Sequence, residues 1–179
     1  APDQRPLRHI VPENRKQLYD MREIINTIAD KDSVLEIREK FGIGIITAFM
    51  RIEGKPMAVI ANNPHHIAGA IDSDGADKGA RFVQLCDAFD IPILSLMDCP
   101  GMMVGPDVES TALVRHCDRM FNAGANLTTP MFLTVVRKAY GLGVQAMCGA
   151  SSFVGFFSVA WPTAEFAGMA IEGSVKLGY

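Results

Sequence analysis

Two apolar runs, GIGIITAFMRI at residues 42–52 and MAVIA at 57–61, flank Glu53-Gly54-Lys55-Pro56. The first run is partly β-branched and the break between them is strong turn chemistry, so the segment is expected to fold as a β-hairpin. Downstream the pattern becomes an alternation of helix and strand. Phe82, Val83, Cys86 and Phe89 mark an amphipathic helix, with Asp74 and Asp77 near its start, where carboxylates favour exposed N–H ends. IPILSLM (91–97) and PMFLTVV (130–136) read as buried strands. Between them, Val108–Ala125 is expected to be one helix with Leu113, Cys117, Met120, Phe121 and Gly124 on its inner face. Gly143–Met147 reads as a helix start, Phe156–Ala160 as a short strand and Thr163–Ile171 as a helix. This order defines an α/β chain with a largely parallel sheet, from which only the hairpin departs.

Upstream, Pro2, Pro6 and Pro12 exclude a regular helix or central strand from the first dozen residues, predicting an arm that crosses a surface. From Asn14, the residues Leu18, Met21, Ile24, Ile25 and Ile28 share one helical stripe. Ser33–Lys40 is mixed and charged. At the other end, Glu172–Tyr179 keeps structure-forming residues without a polar tail, so a longer parent polypeptide is expected.

The composition narrows the classes. The 179 residues suit one domain with a single sizeable core, and 49% hydrophobic with 21% charged residues is ordinary for a globular chain. A formal net charge of −3 lacks the basic surplus a nucleic-acid binder needs. A mean hydropathy of +0.16, with 16 Gly and 10 Met, points to extensive buried surface, including an oligomer interface. No apolar run reaches the ~18 residues of a membrane span, and Ala1–Pro6 has no apolar centre of a signal peptide. Cys86, Cys99, Cys117 and Cys148 form no C-x-x-C pair and read as buried thiols of a reducing compartment. His65-His66 has no third ligand nearby, so no metal site is expected.

The chemistry-bearing stretches are loops. There is no G-x-S-x-G and no G-x-x-x-x-G-K-[ST]. Gly141-Leu142-Gly143-Val144-Gln145-Ala146 fits G-x-G-x-x-[GA], and Glu165 lies roughly where a ribose-binding acid would. The match comes late in the chain, however, and Glu165 reads as part of a helix's first turn. The same glycines at a helix start can present unpaired N–H groups to an anion or a developing oxyanion, or can be a tight turn chosen for packing. Asp98-Cys99-Pro100-Gly101-Met102-Met103-Val104-Gly105-Pro106 and Ile60-Ala61-Asn62-Asn63-Pro64 are similar loops after strands. In a parallel sheet all three lie at the ligand-binding end. This rim holds few ionisable groups, which favours chemistry run by backbone dipoles.

Four motifs carry a resemblance. Lys78-Gly79-Ala80-Arg81-Phe82-Val83 with Cys86-Asp87-Ala88-Phe89 and Ile91-Pro92 resembles the K-G-A-R-F-V/I-x-x-C-D-A-F-x-I-P signature of biotin-dependent carboxyltransferases. Asp98-Cys99-Pro100-Gly101-Met102 resembles D-x-P-G-F, Arg137–Gly141 resembles R-K-A-Y-G, and Ala160–Glu165 resembles A-W-P-T-A-E. The likeness runs from about Phe41 to the end and is closest to the C-terminal half of the carboxyltransferase component of acetyl- and propionyl-CoA carboxylases (beta type). It divides the chain into an arm and helix at 1–40 and a carboxyltransferase-like domain at 41–179.

The resemblance implies a crotonase (ClpP/crotonase-like) fold, a spiral of ββα units that accommodates the hairpin. It implies carboxyl transfer from carboxybiotin on a carrier domain to the α-carbon of an acyl-CoA, with the ureido oxygen of the biotin anion held by backbone amides. Those amides fall at Leu142 and Gly143, and the biotin-binding positions at Gly101, Met102, Tyr140 and Gly141. Where the family usually has a second glycine and then alanine after Gly141, this chain has Leu142 and Gly143, and leucine does not comfortably take positive φ. The acidic residue associated with acyl choice in short-acyl enzymes falls at Gln145, and G-L-G-x-Q-A-M is more similar to single-chain or long-acyl carboxylases. Implied partners are an N-terminal carboxyltransferase domain, the biotin carboxyl carrier and biotin carboxylase components, and further copies of the chain in a homo-oligomer. Neither nucleic acid nor a membrane is implied, and the implied location is the cytoplasm, or the mitochondrial matrix in a eukaryote. Three other readings fit these residues: a biotin-dependent acyl-CoA decarboxylase subunit, a crotonase-type hydratase or isomerase with Asp98 or Glu165 in its pocket, and a non-catalytic assembly module.

Single side chains have plainer expectations. Lys78 and Arg81 suit a salt bridge or a solvated face better than a CoA phosphate. Trp161 is expected in the core, and Asp98 and Glu165 are expected to orient loops by hydrogen bonding. Tyr140 either lines the biotin pocket or packs under the turn.

Overall fold

The structure, a computed structural model, describes residues 3–149 and 155–178; Ala1, Pro2 and Tyr179 of the terminal stretches lie outside them. In chain order the elements are α1 (Leu7–Ile10), α2 (Met21–Ile28), β1 (Leu35–Glu36), β2 (Ile45–Ile52), β3 (Lys55–Asn62), α3 (Ser73–Ala88) and β4 (Ile93–Cys99). There follow α4 (Pro106–Glu109), α5 (Leu113–Ala125), β5 (Met131–Tyr140), α6 (Gly141–Met147), β6 (Phe157–Ala160), β7 (Glu165–Ala167) and α7 (Ile171–Gly178).

The hairpin forms as expected. β2 and β3 pair antiparallel in unbroken register from Ile45↔Asn62 to Ile52↔Lys55. Glu53 and Gly54 both have positive φ, 51° and 78°, the requirement of a type I′ turn whose twist matches its strands. The Asp30 carboxylate accepts from both turn amides, at 3.0 and 2.7 Å. From β3 onward the sheet is parallel through β4 to β5. The far edge of β5 is shared: Phe132–Val135 pair with β6, and Lys138–Tyr140 with β7.

Period-two alternation divides the strands between two cores. Ile45, Ala58, Ile60, Ile93 and Met97 face Val83, Cys86, Cys117, Met120 and Met147 of α3, α5 and α6. Ile46, Ala48, Val59, Ala61, Leu96 and Val136 face Met21, Ile24 and Ile25 of α2, with Val11 and Tyr19 from the arm. The Asp20 carboxylate caps α2 through the Arg22 amide. All four cysteines are buried and free.

Five expectations fail locally. The helical stripe expected from Asn14 starts only at Met21, where the Asp20 cap opens α2, and Leu18 lies outside it, 46% exposed. The arm does contain a helix, α1, because Pro6 stands at its N-cap, where a missing N–H is harmless. Val108–Ala125 is two helices: Ser110 Oγ and Thr111 Oγ1 donate to the carbonyls of Asp107 and Val108 (2.6 and 2.7 Å), and Ala112 is left-handed at φ 56°. Phe89 lies outside α3 and is 69% exposed; the cap of that helix is Asp72, which accepts from the Gly75 amide. Thr163–Ile171 is not a helix. The Trp161 amide donates to Val135 O (2.9 Å) and Thr163 Oγ1 to Val136 O (2.6 Å), stepping the chain along β5 so that β7 pairs on its vacant edge. Glu165 therefore begins a strand.

Lys78 also departs from expectation: it is 1% exposed, and its Nζ has no hydrogen-bond partner among the described residues. Burial pushes its pKa down from 10.5 to about 8, against the attraction of Glu36. A folded pKa below the unfolded one means that the unfolded chain binds this proton more tightly. The charged amine thus opposes folding fully below pH 8, and the penalty fades between about 8 and 10.5. Lys78→Met should raise the unfolding free energy by about 2 kcal/mol near neutral pH and by much less near pH 10. Urea melts of both proteins at the two pH values check this, and an equal gain at both would refute it.

Candidate active site

The ends of β3, β4 and β5 bring the three loops together. Asn62, ending β3, donates through Nδ2 to Gly69 O (3.0 Å) and accepts through Oδ1 from the Asp98 amide (3.2 Å). A Cβ on Gly69 would strike Asp98 O, and φ there is +91°. The loop after β4 is pinned to Ile71, whose amide donates to Gly101 O (3.1 Å) and whose carbonyl accepts from Met103 (3.1 Å). Met102 bridges alongside Ile71 and packs on the helical core. Gly101 has φ 126°.

The loop after β5 turns directly into α6. The positive φ falls on Gly141 (58°), whereas Leu142 is helical and unstrained, so the leucine fits this turn. Leu142 is 59% exposed. Among the described residues, no side chain or carbonyl outside this turn accepts from the amides of Leu142 and Gly143, as expected of the first N–H groups of a helix. Gly143 is buried against the neighbouring loop: a Cβ there would lie 2.5 Å from Cys99 Sγ and 3.0 Å from Gly101 Cα. Gln145 is exposed one turn on.

Beneath the turn, the carboxylates are already engaged. Asp98 is fully buried. It accepts from Tyr19 Oη (2.9 Å), Arg137 Nε (3.0 Å) and the Lys138 amide (3.1 Å), with Lys138 Nζ at 3.4 Å. Arg137 also donates to Gln17 O (2.9 Å), tying the arm to β5. Lys138 Nζ donates to Ala68 O (2.6 Å). Glu165 accepts from Tyr140 Oη (2.6 Å) and pairs with Arg15 (2.8 Å). Burial, then Glu165, pushes the Tyr140 phenol up to about 12, so it remains a proton donor to that carboxylate. A cavity of about 180 Å3 lies here, lined by Arg15, Arg137, Lys138, Tyr140, Glu165 and Glu172. Burial also pushes Cys99 up to about 12, leaving an inert thiol.

The three loops thus set a rim of main-chain groups over a locked ionic layer. The family described as Carboxyl transferase domain matches residues 1–179. This chain belongs to that family. The domain is 41% identical over 174 residues to an uncharacterized carboxylase, YngE, of Bacillus subtilis (strain 168), covering 97% of this chain and 34% of that protein. It is 40% identical over 168 residues to the propionyl-CoA carboxylase beta chain of Roseobacter denitrificans, covering 94% and 33%. A single-chain, multi-domain long-chain acyl-CoA carboxylase superposes with a TM-score of 0.97 at 51% identity, over 100% of this chain and 18% of that one. Transcarboxylase 12S, described as a hexamer, superposes at 0.92 with 36% identity, over 99% and 34%. The chain spans about a third of the length of the curated relatives it matches. Its mixed α/β sheet is the fold of these carboxyltransferase structures.

Asp87, a signature residue, and His66, outside the signature, have structural duties. Asp87 accepts from the Thr128 amide and hydroxyl (both 2.8 Å) and the Thr129 amide (3.0 Å), fixing the entry to β5. His66 is held by Asp72 at 2.8 Å. Sequence reasoning missed Arg15, Gln17 and Tyr19, which hold the R-K-A-Y strand end from the arm. They fall in the stretch expected to be helical from Asn14, whereas α2 starts only at Met21, so no local signal marked them. Trp161 is half-buried and lines an apolar cavity of about 500 Å3 with Leu7 and Val11. No described helix is long and apolar enough to cross a membrane.

Proposed function

We propose that this chain supplies the biotin-side half of a biotin-dependent acyl-CoA carboxyltransferase site, on a crotonase-type spiral. The observation that carries the reading is the pair of first-turn amides, Leu142 and Gly143, beside the close-packed Gly101 loop, without acceptors outside their turn among the described residues. When bound, carboxybiotin supplies an activated carboxyl group and, after its loss, a base for the acyl-CoA α-proton. The chain's part is to hold negative charge on the ureido oxygen with those two N–H groups, where one donor is typically worth ~3 kcal/mol or more. Gly101, Met102, Tyr140 and Gly141 bound that place: Met102 gives apolar contact and Tyr140, fixed by Glu165, supports the turn. Gly143 lets the turn close on the Gly101 loop, since a Cβ there would strike Cys99 Sγ and the Gly101 backbone.

The buried Asp98 and the paired Glu165 favour this over a hydratase or isomerase, which needs a carboxylate free to move a proton. The neutral Gln145, together with 51% identity to a long-chain acyl-CoA carboxylase, favours an acyl group longer than propionyl. The other half of the site would come from an N-terminal carboxyltransferase domain, with carrier and biotin carboxylase components completing the enzyme. Phe156, Phe157, Phe166 and Leu177, from 58 to 78% exposed, offer apolar surface for such an assembly.

The test separates half from whole. Carboxybiotin and an acyl-CoA incubated with this chain alone should show little or no transfer, and addition of the N-terminal half should restore it. Brisk transfer by the chain alone would overturn the half-site reading. No transfer and no biotin binding by the combined halves would leave a non-catalytic assembly module.

A further inference from the structure

Away from the Tyr140–Gln145 turn, α3, α5 and the loop between β1 and β2 enclose a cavity of about 530 Å3, lined by Arg38, Phe41, Asp77, Arg81, Gln84 and Arg119. Its size is that of a small-ligand site. Its charge is unbalanced. Arg119 and His116 take the two oxygens of Asp77, at 2.8 and 2.9 Å. Burial works to raise the Asp77 pKa, but these partners outweigh it and hold the carboxyl below its usual range. Arg38 and Arg81 are exposed, and neither guanidinium has a hydrogen-bond or ion-pair partner among the described residues.

The surroundings do not cancel that charge. The buried Lys78 amine lies under the same loop, within the field of Glu36, Arg22, Arg38 and Glu39. Glu36 is already taken by Arg22 in a bidentate pair (2.8 and 2.7 Å), which leaves Glu39 as the opposing carboxylate. Arg38 is held at φ 56°, a conformation that non-glycine residues keep where the surroundings demand it and that clusters at ligand clamps. Beside the guanidiniums, Phe41 is 42% exposed and offers an apolar platform.

We propose that this cavity binds a small organic phosphate ester, its phosphate gripped by Arg38 and Arg81 and its apolar or aromatic part resting on Phe41. Two free guanidinium forks match a dianionic phosphate in charge and in bidentate geometry. Arg119, spent partly on Asp77, and the Gln84 amide supply further donors at the rim.

Calorimetric titration of the full chain with ADP and with inorganic phosphate tests this. ADP should bind saturably with Kd below about 1 mM. Arg38→Ala and Arg81→Ala should each weaken it about tenfold or more, and added salt should weaken it further. Phe41→Ala should weaken ADP and spare phosphate. Equal binding of the two probes, indifferent to Phe41, would overturn the ester and leave a bare phosphate site. No saturable binding of either probe, or binding indifferent to both arginine variants, would overturn the proposal entirely. Melting temperatures of the unliganded variants should match the parent, so that lost affinity reads as lost contact.

Discussion

Asp98→Ala should destabilise this domain by about 3–5 kcal/mol, the range for removing one partner of a buried ion pair. The carboxylate is inaccessible to water, and Arg137 beside it is 4% exposed. Without Asp98 the guanidinium keeps Gln17 O but loses the acceptor of its Nε and its nearest negative charge. Tyr19 loses the acceptor of a buried hydroxyl, and the Lys138 amide loses its own. Each orphaned donor adds a desolvation penalty that water outside cannot relieve. Equilibrium urea unfolding measures the loss. In the double variant with Arg137→Met much of it should return, because the uncompensated charge is gone. The exposed Asp3–Arg5 pair is the control: Asp3→Ala should leave the midpoint unchanged. A loss for Asp98→Ala within the range of a surface pair, about 1 kcal/mol or less, would mean that the four-residue cluster does not hold the arm to the sheet.

How far the sequence discloses this arrangement depends on the range of the interaction. The hairpin is legible because its determinants are neighbours: two apolar runs and a turn in which Gly54 takes φ readily. The parallel strands are legible from their length and apolar character. The end of the chain is not, because the strand at Glu165–Ala167 exists only where β6 stops at Ala160 and leaves the last residues of β5 unpaired, a tertiary demand that overrides local pattern. Lys78 was half legible. It stands four residues before Phe82 and so on the same helical stripe, but its charge argues for a solvated face, and only the packing of the 36–42 loop over α3 reverses that. At the candidate site, the motifs mark the loops and the turn, whereas the hub beneath is joined across large separations. Tyr19, Asp98 and Arg137 share no local signal, since a buried carboxylate and a loop-orienting one look alike in one dimension.

Gly143→Ala should lower the carboxyl-transfer rate of the assembled enzyme by about 100-fold or more, the scale on which a misplaced oxyanion donor acts. Conformation is not the cause, because Gly143 lies within α6 and has no positive φ. The cause is room. The added methyl would stand 2.5 Å from Cys99 Sγ and 3.0 and 3.2 Å from backbone atoms of Gly101. Gly101 is itself fixed through its carbonyl to Ile71, so the turn has to retreat and carry both amides with it. Leu142→Ala is the contrasting change. Its side chain is largely exposed and its N–H survives substitution, so most of the rate should remain. Cys99→Ala, placed in the Gly143→Ala background, removes the nearest atom and should recover part of the loss without restoring it, since the Gly101 contacts persist. Rates measured with saturating acyl-CoA separate this from binding: the fall should appear in kcat. If Leu142→Ala proved as damaging as Gly143→Ala, the side chains of the turn, and not its amides, would be carrying the chemistry.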